Sequence, residues 1–313
     1  MTQVKNGDAF EYACTIAAQA VIREYQNTYM LETGRMQKCR IAYTGLPIAV
    51  QTNLFNAAKS GIEHIVQYEP NLTTRHENGV EIRLGSSQMG EQGDVRDVII
   101  RVDERDWEVG VSAKNNHDAV KHNRLSSTID FGEKWFNIPT PNAYFDELRD
   151  TWAYLQHQAA QRVLWDNIDK PRIYQHVLST FSQTLNDMYA NHHEIAYKLM
   201  EYLLGKNDYY KLIVRHQKRQ TELRAFNIHG MLHMKSATGV TSKNATKLPM
   251  PSRLVEINYD MQKKYDTVYV HLDNGWQISM RIHSARSIVE PSLKFDVRLV
   301  GVPNSMLSIL SDW

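Results

Sequence analysis

The segment DVIIRVDERDWEVGVSAK, residues 97–114, contains two short apolar runs that are rich in β-branched residues, with a polar turn between them. This pattern predicts a β-hairpin. Because the chain runs out along one strand and returns along the next, Asp97 and Lys114 are expected at the same edge of the hairpin. The segment therefore places a carboxylate beside an ammonium group.

A carboxylate and a lysine in this arrangement are suited to phosphodiester hydrolysis. The carboxylate holds a hard divalent cation such as Mg²⁺, while the lysine orients or activates the attacking water and balances charge on the phosphorane. The same two residues also occur as a plain salt bridge on a surface hairpin, so further evidence is needed to choose between these interpretations.

Composition agrees with a globular protein. The chain has 313 residues, of which 42% are hydrophobic and 23% charged, which favours one elaborated domain or two. No apolar run approaches the roughly 20 residues that cross a bilayer, and the N-terminus lacks the basic start of a signal peptide. Two cysteines, Cys14 and Cys39, are too few for a disulfide scaffold. We therefore expect a soluble cytoplasmic protein; its net charge of +1 does not exclude nucleic acid as a partner.

Hydrophobic periodicity predicts the order of elements. A helix is expected over 8–25, capped by Asp8, and another over 48–68, ended by Pro70. Residues 71–92 are polar and turn-rich, 144–204 are helical up to Gly205, and 208–313 are mostly strand-like. We expect a catalytic core over 1–140, a helical segment over 141–207 and a β-rich region over 208–313 that completes the core and the DNA-binding cleft.

The hairpin resembles the PD-(D/E)XK nuclease motif. The first aspartate of that motif precedes an apolar run, as Asp97 does, and its second half is an acidic residue, any residue and a lysine. Here that tripeptide is Ser112-Ala113-Lys114, so serine stands where a carboxylate is expected. The resemblance implies an α/β (α+β) fold with a mixed sheet flanked by helices, and a carboxylate supplied from elsewhere.

Several acidic residues are candidates for the missing carboxylate. Glu108 fails because six strand residues place it about 20 Å from Lys114. Glu69, which ends the helix before the hairpin, ranks first, followed by Glu11 on the first helix and Asp130 beyond the lysine. The main-chain carbonyl of Ala113 is expected as a further Mg²⁺ ligand, because strand geometry puts it beside Lys114.

Two groups of polar and basic residues are candidates for binding DNA. Lysine and arginine meet phosphates, and arginine or lysine matches the two major-groove acceptors of guanine. One group follows the lysine and the other lies in the C-terminal strands: Asn115, Asn116, His117, Lys121, His122, Asn123 and Arg124; Arg281, His283, Arg286 and Lys294. Plain surface charge is the alternative for each of them.

Longer blocks of the sequence resemble the HaeIII-type restriction endonucleases. They lie in order along most of the chain: GDVRD (93–97), WEVGVSAKNNH (107–117), AVKHNRLS (119–126), DFGEKWF (130–136), DNGWQ (273–277), RIH (281–283) and EPSLKFD (290–296). The resemblance includes the serine at position 112, so this departure from the nuclease motif affects the metal-ligand set and not the class.

This resemblance implies a type II restriction endonuclease that cuts double-stranded DNA at GGCC, between G and C, leaving blunt ends. Mg²⁺ would be the cofactor and a cognate cytosine methyltransferase the genetic partner. A palindromic site favours a homodimer, although a monomer that cuts the strands in succession is also possible. The alternatives are a non-catalytic DNA-binding protein on a decayed nuclease fold and a repair nuclease without sequence specificity.

Overall fold

The chain forms two compact units, each built from more than one stretch of sequence. The structure, a computed structural model, describes residues 3–86, 93–116, 118–234, 246–259 and 264–313. The first unit comprises residues 1–118, 205–248 and 305–313, and the second comprises 119–204 and 249–304. The units therefore differ from the expected succession of three segments with borders at 140 and 207, because the chain leaves the first unit and returns to it twice.

Among the described residues the helices and strands alternate unevenly along the chain. The helices are α1 (Gln3–Ile22), α2 (Gly34–Thr44), α3 (Ile48–Tyr68), α4 (Pro70–Thr73), α5 (Phe131–Phe136), α6 (Asn142–Ala160), α7 (Lys170–Asn191) and α8 (Ile195–Leu204). The strands are β1 (Thr28–Met30), β2 (Val80–Leu84), β3 (Val98–Val102), β4 (Trp107–Asn115), β5 (Arg124–Ser126), β6 (Tyr209–Arg215), β7 (Gln220–Phe226), β8 (Leu254–Asn258), β9 (Thr267–Leu272), β10 (Gln277–His283), β11 (Ser292–Gly301) and β12 (Ser308–Asp312).

The first unit contains a seven-stranded mixed sheet in the order β1-β2-β3-β4-β6-β7-β12. The predicted hairpin is confirmed, with β3 and β4 antiparallel and Val98 opposite Val111. On the other side of β4, strand β6 is parallel and sets Tyr210 beside Val111. Helices α1 and α3 cover the sheet with buried apolar side chains, which gives the mixed α/β fold expected from the sequence.

The second unit contains an antiparallel sheet of five strands in the order β5-β11-β10-β9-β8. Side chains alternate between its faces. Phe295 on β11 is fully buried and its ring lies 5.2 Å from that of Phe181 on α7, so one face packs on helices. The turn between β9 and β10 holds Asn274 and Gly275 at φ 57° and 85°, which is the left-handed geometry that the Asn-Gly pair predicts.

Most predicted elements are confirmed, with differences at their ends. Helix α3 has the predicted bounds, and α1 begins earlier than expected. Asp8 therefore lies inside α1 and does not cap it; its carboxylate forms ion pairs with Arg35 and Lys38. Strand β2 lies in the stretch expected to be turns, because Val80, Ile82 and Leu84 form a short alternating buried pattern. No helix in the described ranges is long and apolar enough to cross a membrane.

Helix α3 approaches the sheet closely at Gly61. A Cβ atom added there would lie 2.4 Å from Leu212 Cδ2 and 3.2 Å from Thr221 Cγ2. Both neighbours are fully buried and have little freedom to move, because protein interiors are close-packed. The absence of a side chain at this position thus fixes the distance between α3 and strands β6 and β7.

Gly61→Ala is expected to lower the free energy of unfolding by about 1–3 kcal/mol, the usual cost of overpacking a core. Urea denaturation monitored by circular dichroism measures this change. Gly34→Ala is the matched control, because a Cβ at Gly34 on α2 meets nothing within 4 Å. Equal stability of the two variants would show that the α3 contact is not tight.

Candidate active site

The edge of the hairpin brings Asp97 and Lys114 together as expected. The main-chain N–H of Asp97 donates to the Val111 carbonyl at 2.9 Å, which fixes the start of β3 against β4. One carboxylate oxygen, Oδ2, then accepts three hydrogen bonds: from Ala113 N at 2.8 Å, from Lys114 Nζ at 3.1 Å and from Ser112 Oγ at 3.2 Å. Ser112, which stands where the nuclease motif has a carboxylate, thus donates to Asp97.

Glu11 on α1 is a carboxylate on which the charges of Asp97 and Lys114 act. Burial raises the pKa of Glu11 to about 7, and the negative charge of Asp97 adds to the rise, while Arg35 and Lys114 lower it. Arg35 on α2 holds the Oε2 atom of Glu11 at 2.5 Å. The structure therefore groups Glu11 electrostatically with the hairpin pair, as the second-ranked candidate for the missing ligand.

Each of these two carboxylates has one oxygen that accepts no hydrogen bond from the described part of the chain. All the hydrogen bonds of Asp97 fall on Oδ2, and those of Glu11 fall on Oε2. A buried carboxylate, Glu11, and a partly exposed one, Asp97, repel each other, and a cation near both offsets this repulsion. The donor set of Asp97 Oδ1 and Glu11 Oε1 therefore fits a hard divalent ion, which prefers carboxylate oxygen.

Two further residues complete the surroundings of the site. The N–H of Ala113 points to Asp97, and in a strand the carbonyl of a residue faces the same neighbour as its N–H. Lys211 on β6 lies in register with Ser112 and is 1% exposed. Its Nζ donates to the Asp118 carbonyl at 2.6 Å, and burial, followed by the charge of Lys114, lowers its pKa to about 7.

Lys211 and Arg35 were missed from the sequence. A lysine inside the apolar run YYKLIV (209–214) is a usable signal of a special position. Arg35 gives no such signal, because a polar helix commonly carries arginine. Asp8, Glu11 and Cys39 also lie close enough together to hold a metal ion, but Arg35 and Lys38 already balance the charges of these carboxylates.

The structure places Glu69 in a different cluster. Glu69 joins α3 to α4 and is fully buried; its Oε1 accepts from Tyr210 Oη at 2.8 Å and from His233 N at 3.0 Å. Burial raises its pKa to about 8, with a smaller contribution from Asp208, and Asp97 is not among the charges that act on it. Glu69 was ranked first from its place before the hairpin, whereas strand β6, far along the chain, supplies its actual partner. Asp130, the third candidate, caps α5 by accepting from Glu133 N at 2.9 Å.

The DNA-binding candidates next to Lys114 have local roles in the first unit. Asn115 donates to the Asn6 carbonyl at 3.0 Å and binds His216 Nε2 at 2.6 Å through its side-chain oxygen. Asn116 is exposed, adopts φ 55° and donates its N–H to Val214. His117 lies outside the described residues.

Four candidates of the second unit, Arg124, Arg281, His283 and Lys294, lie on its antiparallel sheet. Arg124 pairs with Lys294 in the ladder, and Lys294 pairs with His283 on its other side. Lys121 is less suited to phosphate, because its Nζ donates to the Tyr202 carbonyl at 2.7 Å and lies 3.5 Å from the centre of that ring. Its pKa is lowered to about 8 by burial.

Comparison with known proteins identifies the class of the chain. The sequence profile of the HaeIII restriction endonucleases matches residues 7–303. The type II restriction enzyme HaeIII of Haemophilus aegyptius is 32% identical over 312 residues, which cover 98% of this chain and 97% of that enzyme. No solved structure matches significantly.

The class that these findings define is the type II site-specific deoxyribonuclease, which acts on double-stranded DNA. Within it, the chain belongs to the HaeIII restriction endonuclease family. The expected resemblance is thereby confirmed over nearly the whole chain.

The buried Glu69 predicts a dependence of stability on pH. Its pKa is about 8 in the folded protein against an ordinary 4.5, so between these values the folded state holds a proton that the unfolded state releases. Stability from this group is therefore present below about pH 4.5 and is lost as pH rises to about 8. Glu69→Gln should remove this loss, so the variant should gain stability relative to the unsubstituted protein as pH rises.

The measurement is the free energy of unfolding in urea at pH 5 to 8, taken as the difference between variant and unsubstituted protein. Glu63→Gln, a half-exposed position on the same helix, is the matched control and should leave a constant difference. A constant difference for Glu69→Gln would contradict the prediction.

Proposed function

We propose that the protein cuts double-stranded DNA at GGCC, between G and C, leaving blunt ends, and that it requires Mg²⁺. The observation that carries the catalytic part of this proposal is the contact of Lys114 Nζ with Asp97 Oδ2 at 3.1 Å at the hairpin edge. The resemblance to HaeIII-type enzymes and the 32% identity to HaeIII support the proposed recognition of GGCC and the position of the cut.

Asp97 Oδ1, Glu11 Oε1 and the Ala113 carbonyl would hold the Mg²⁺ ion. When bound, Mg²⁺ supplies positive charge that stabilises the phosphorane and favours attack by water. Glu11 replaces Glu69 in this proposal because the charge of Asp97 acts on Glu11, whereas the carboxylate of Glu69 is buried and accepts from Tyr210 and His233. Ser112 needs no charge in this arrangement, because its hydroxyl donates to Asp97 and holds the carboxylate in place.

Lys114 orients the attacking water and balances negative charge that develops on the phosphate. Its side chain is 27% exposed, so the ammonium group is accessible from solvent while Asp97 fixes its position. Lys211 stays close enough to affect Lys114 electrostatically. The positive charge of Lys114 favours the approach of a phosphodiester.

The basic residues of the second unit are proposed to bind the duplex. Guanine offers N7 and O6 as acceptors in the major groove, which suit arginine and lysine. Arg124, Arg281, His283 and Lys294 occupy the polar face of the five-stranded sheet, with His122 near its edge. We further propose a homodimer on the palindromic site, with a monomer as the alternative, and a cytosine methyltransferase as the genetic partner.

Asp97→Ala and Lys114→Ala are each expected to lower the rate of DNA cleavage by roughly 100-fold or more, because each removes a group that acts on the reacting phosphate. Single-turnover cleavage of a duplex with Mg²⁺ measures this rate. Circular dichroism and an electrophoretic binding assay should show an intact fold and retained DNA binding. Near-normal cleavage by either variant would place the active site elsewhere.

Glu11→Gln and Glu69→Gln separate the two candidate carboxylates. We expect Glu11→Gln to lose cleavage and to need more Mg²⁺, since it removes a charged ligand, and Glu69→Gln to cleave at close to the normal rate. Titration of Mg²⁺ at fixed DNA concentration tests both. Loss of cleavage in a folded Glu69→Gln variant, with Glu11→Gln active, would restore Glu69 as the ligand.

Digestion of plasmid DNA with Mg²⁺ tests the specificity. Discrete fragments that map to GGCC are expected, and 5-methylation of cytosine in the site should block cleavage because it adds bulk in the major groove. Intact plasmid would indicate a non-catalytic DNA-binding protein, and a smear a nuclease without specificity. Fragments from another sequence would refute GGCC alone, and equal cutting of methylated DNA would refute close major-groove contact.

A further inference from the structure

The polar face of the five-stranded sheet contains one buried carboxylate among basic groups. Asp296 on the middle part of β11 is 4% exposed, and it alternates with Phe295 and Val297, which are fully buried. Its side chain therefore lies on the face opposite to the helices. In the ladder Asp296 is directly opposite Arg281 on β10.

Three basic side chains surround the Asp296 carboxylate. Arg298 donates to Oδ2 through Nε at 3.1 Å, and its Nη2 forms an ion pair with the same oxygen at 2.9 Å. Arg281 Nη2 lies 3.8 Å from the same oxygen, and His122 Nδ1 lies 3.8 Å from Oδ1. The side chains of Arg298 and Arg281 are still 46% and 51% exposed. Their guanidinium groups thus reach solvent while their positions are set by a buried partner.

The neighbouring row of the sheet has a different composition. There Arg124, Lys294 and His283 lie side by side across β5, β11 and β10, with no carboxylate between them. Lys294 forms no ion pair with the residues that the structure describes. A row of this kind attracts phosphate through charge alone, as a point charge on a flexible stem does.

A carboxylate in a DNA-binding face reduces its attraction for phosphate. Burying Asp296 also costs desolvation energy, which only well-placed partners offset. Neither the weaker attraction for phosphate nor the desolvation cost is useful in a surface that only binds the DNA backbone. Both are explained if the carboxylate fixes the orientation of the two guanidinium groups, because arginine recognises a guanine edge through a planar fork held in a defined direction.

We propose that Asp296 is a positioning residue that holds Arg298 and Arg281 for the reading of guanine bases, while the row of Arg124, Lys294 and His283 binds phosphates. This inference rests on the proposed binding of DNA by the second unit. It adds Arg298, which was not among the candidates from the sequence, and it divides one basic face into a part that gives specificity and a part that gives affinity.

The decisive variant is Arg298→Lys, which keeps the charge at a half-exposed position and removes the planar fork. The measured quantity is the ratio of kcat/KM for the cognate duplex to kcat/KM for duplexes with one base pair changed. We expect this ratio to fall roughly 10- to 100-fold, as loss of one bidentate base contact implies, with affinity for a duplex lacking the site unchanged within twofold. Asp296→Asn should lower the ratio similarly, and its non-specific affinity should stay the same or rise because a negative charge is gone.

Two controls distinguish this role from a structural one. Lys294→Ala should weaken specific and non-specific binding alike, with the slope of log affinity against log salt smaller by about 0.9, and should leave the ratio unchanged. Arg149→Lys changes an exposed arginine that also pairs with an aspartate, Asp146, on helix α6; it should change neither quantity.

An unchanged ratio in Arg298→Lys would overturn the proposal, whatever the fold of Asp296→Asn. A purely structural role would lower cleavage of the cognate and the altered duplexes by the same factor in Arg298→Lys and in Asp296→Asn. That result would also overturn the proposal. The cognate duplex is the sequence that the unsubstituted protein cuts in the plasmid digest. If that sequence is not GGCC, the proposed site fails while the test of Asp296 stands.

Discussion

The antiparallel register of β3 and β4 is the constraint on which the site depends. Val98 lies opposite Val111, and this pairing brings the start of one strand to the end of the other. Side chains alternate along a strand, so a slip of one residue would move the apolar residues of β4 out of the core. The burial of Val109 and Val111 therefore fixes the register that sets Lys114 Nζ beside Asp97, and the chemistry is maintained by the packing of the core.

Charge balance explains why acidic and basic groups occur together in both units. In the first unit Arg35 and Lys114 offset the repulsion between Glu11 and Asp97, and one oxygen of each carboxylate remains directed away from these partners. In the second unit basic side chains outnumber acidic ones: one carboxylate, Asp296, lies among His122, Arg281 and Arg298. The arrangement in the first unit suits a cation. The arrangement in the second unit suits the proposed recognition of nucleobases in DNA.

Some buried polar side chains bind the main chain. Glu69 accepts hydrogen bonds from Tyr210 and from the main chain of His233. These bonds tie the segment after β7 to the end of α3. Lys211 similarly binds the main chain at Asp118. In each case a buried titratable side chain forms a hydrogen bond with a main-chain group. A strongly shifted pKa is therefore no proof of a catalytic role in this protein.

The sequence by itself determined the helices α1 and α3, the hairpin, the Asn-Gly turn and the family, because each depends on local periodicity or on contiguous blocks. It also determined Asp97 and Lys114 as a pair, since a hairpin joins residues that are near in the chain. Only the tertiary structure decided that β6 lies parallel to β4, that Glu69 meets Tyr210, and that the charge of Asp97 acts on Glu11. Parallel pairing across a long insertion leaves no local pattern, and the pKa of a carboxylate depends on burial and on charges from distant parts of the chain.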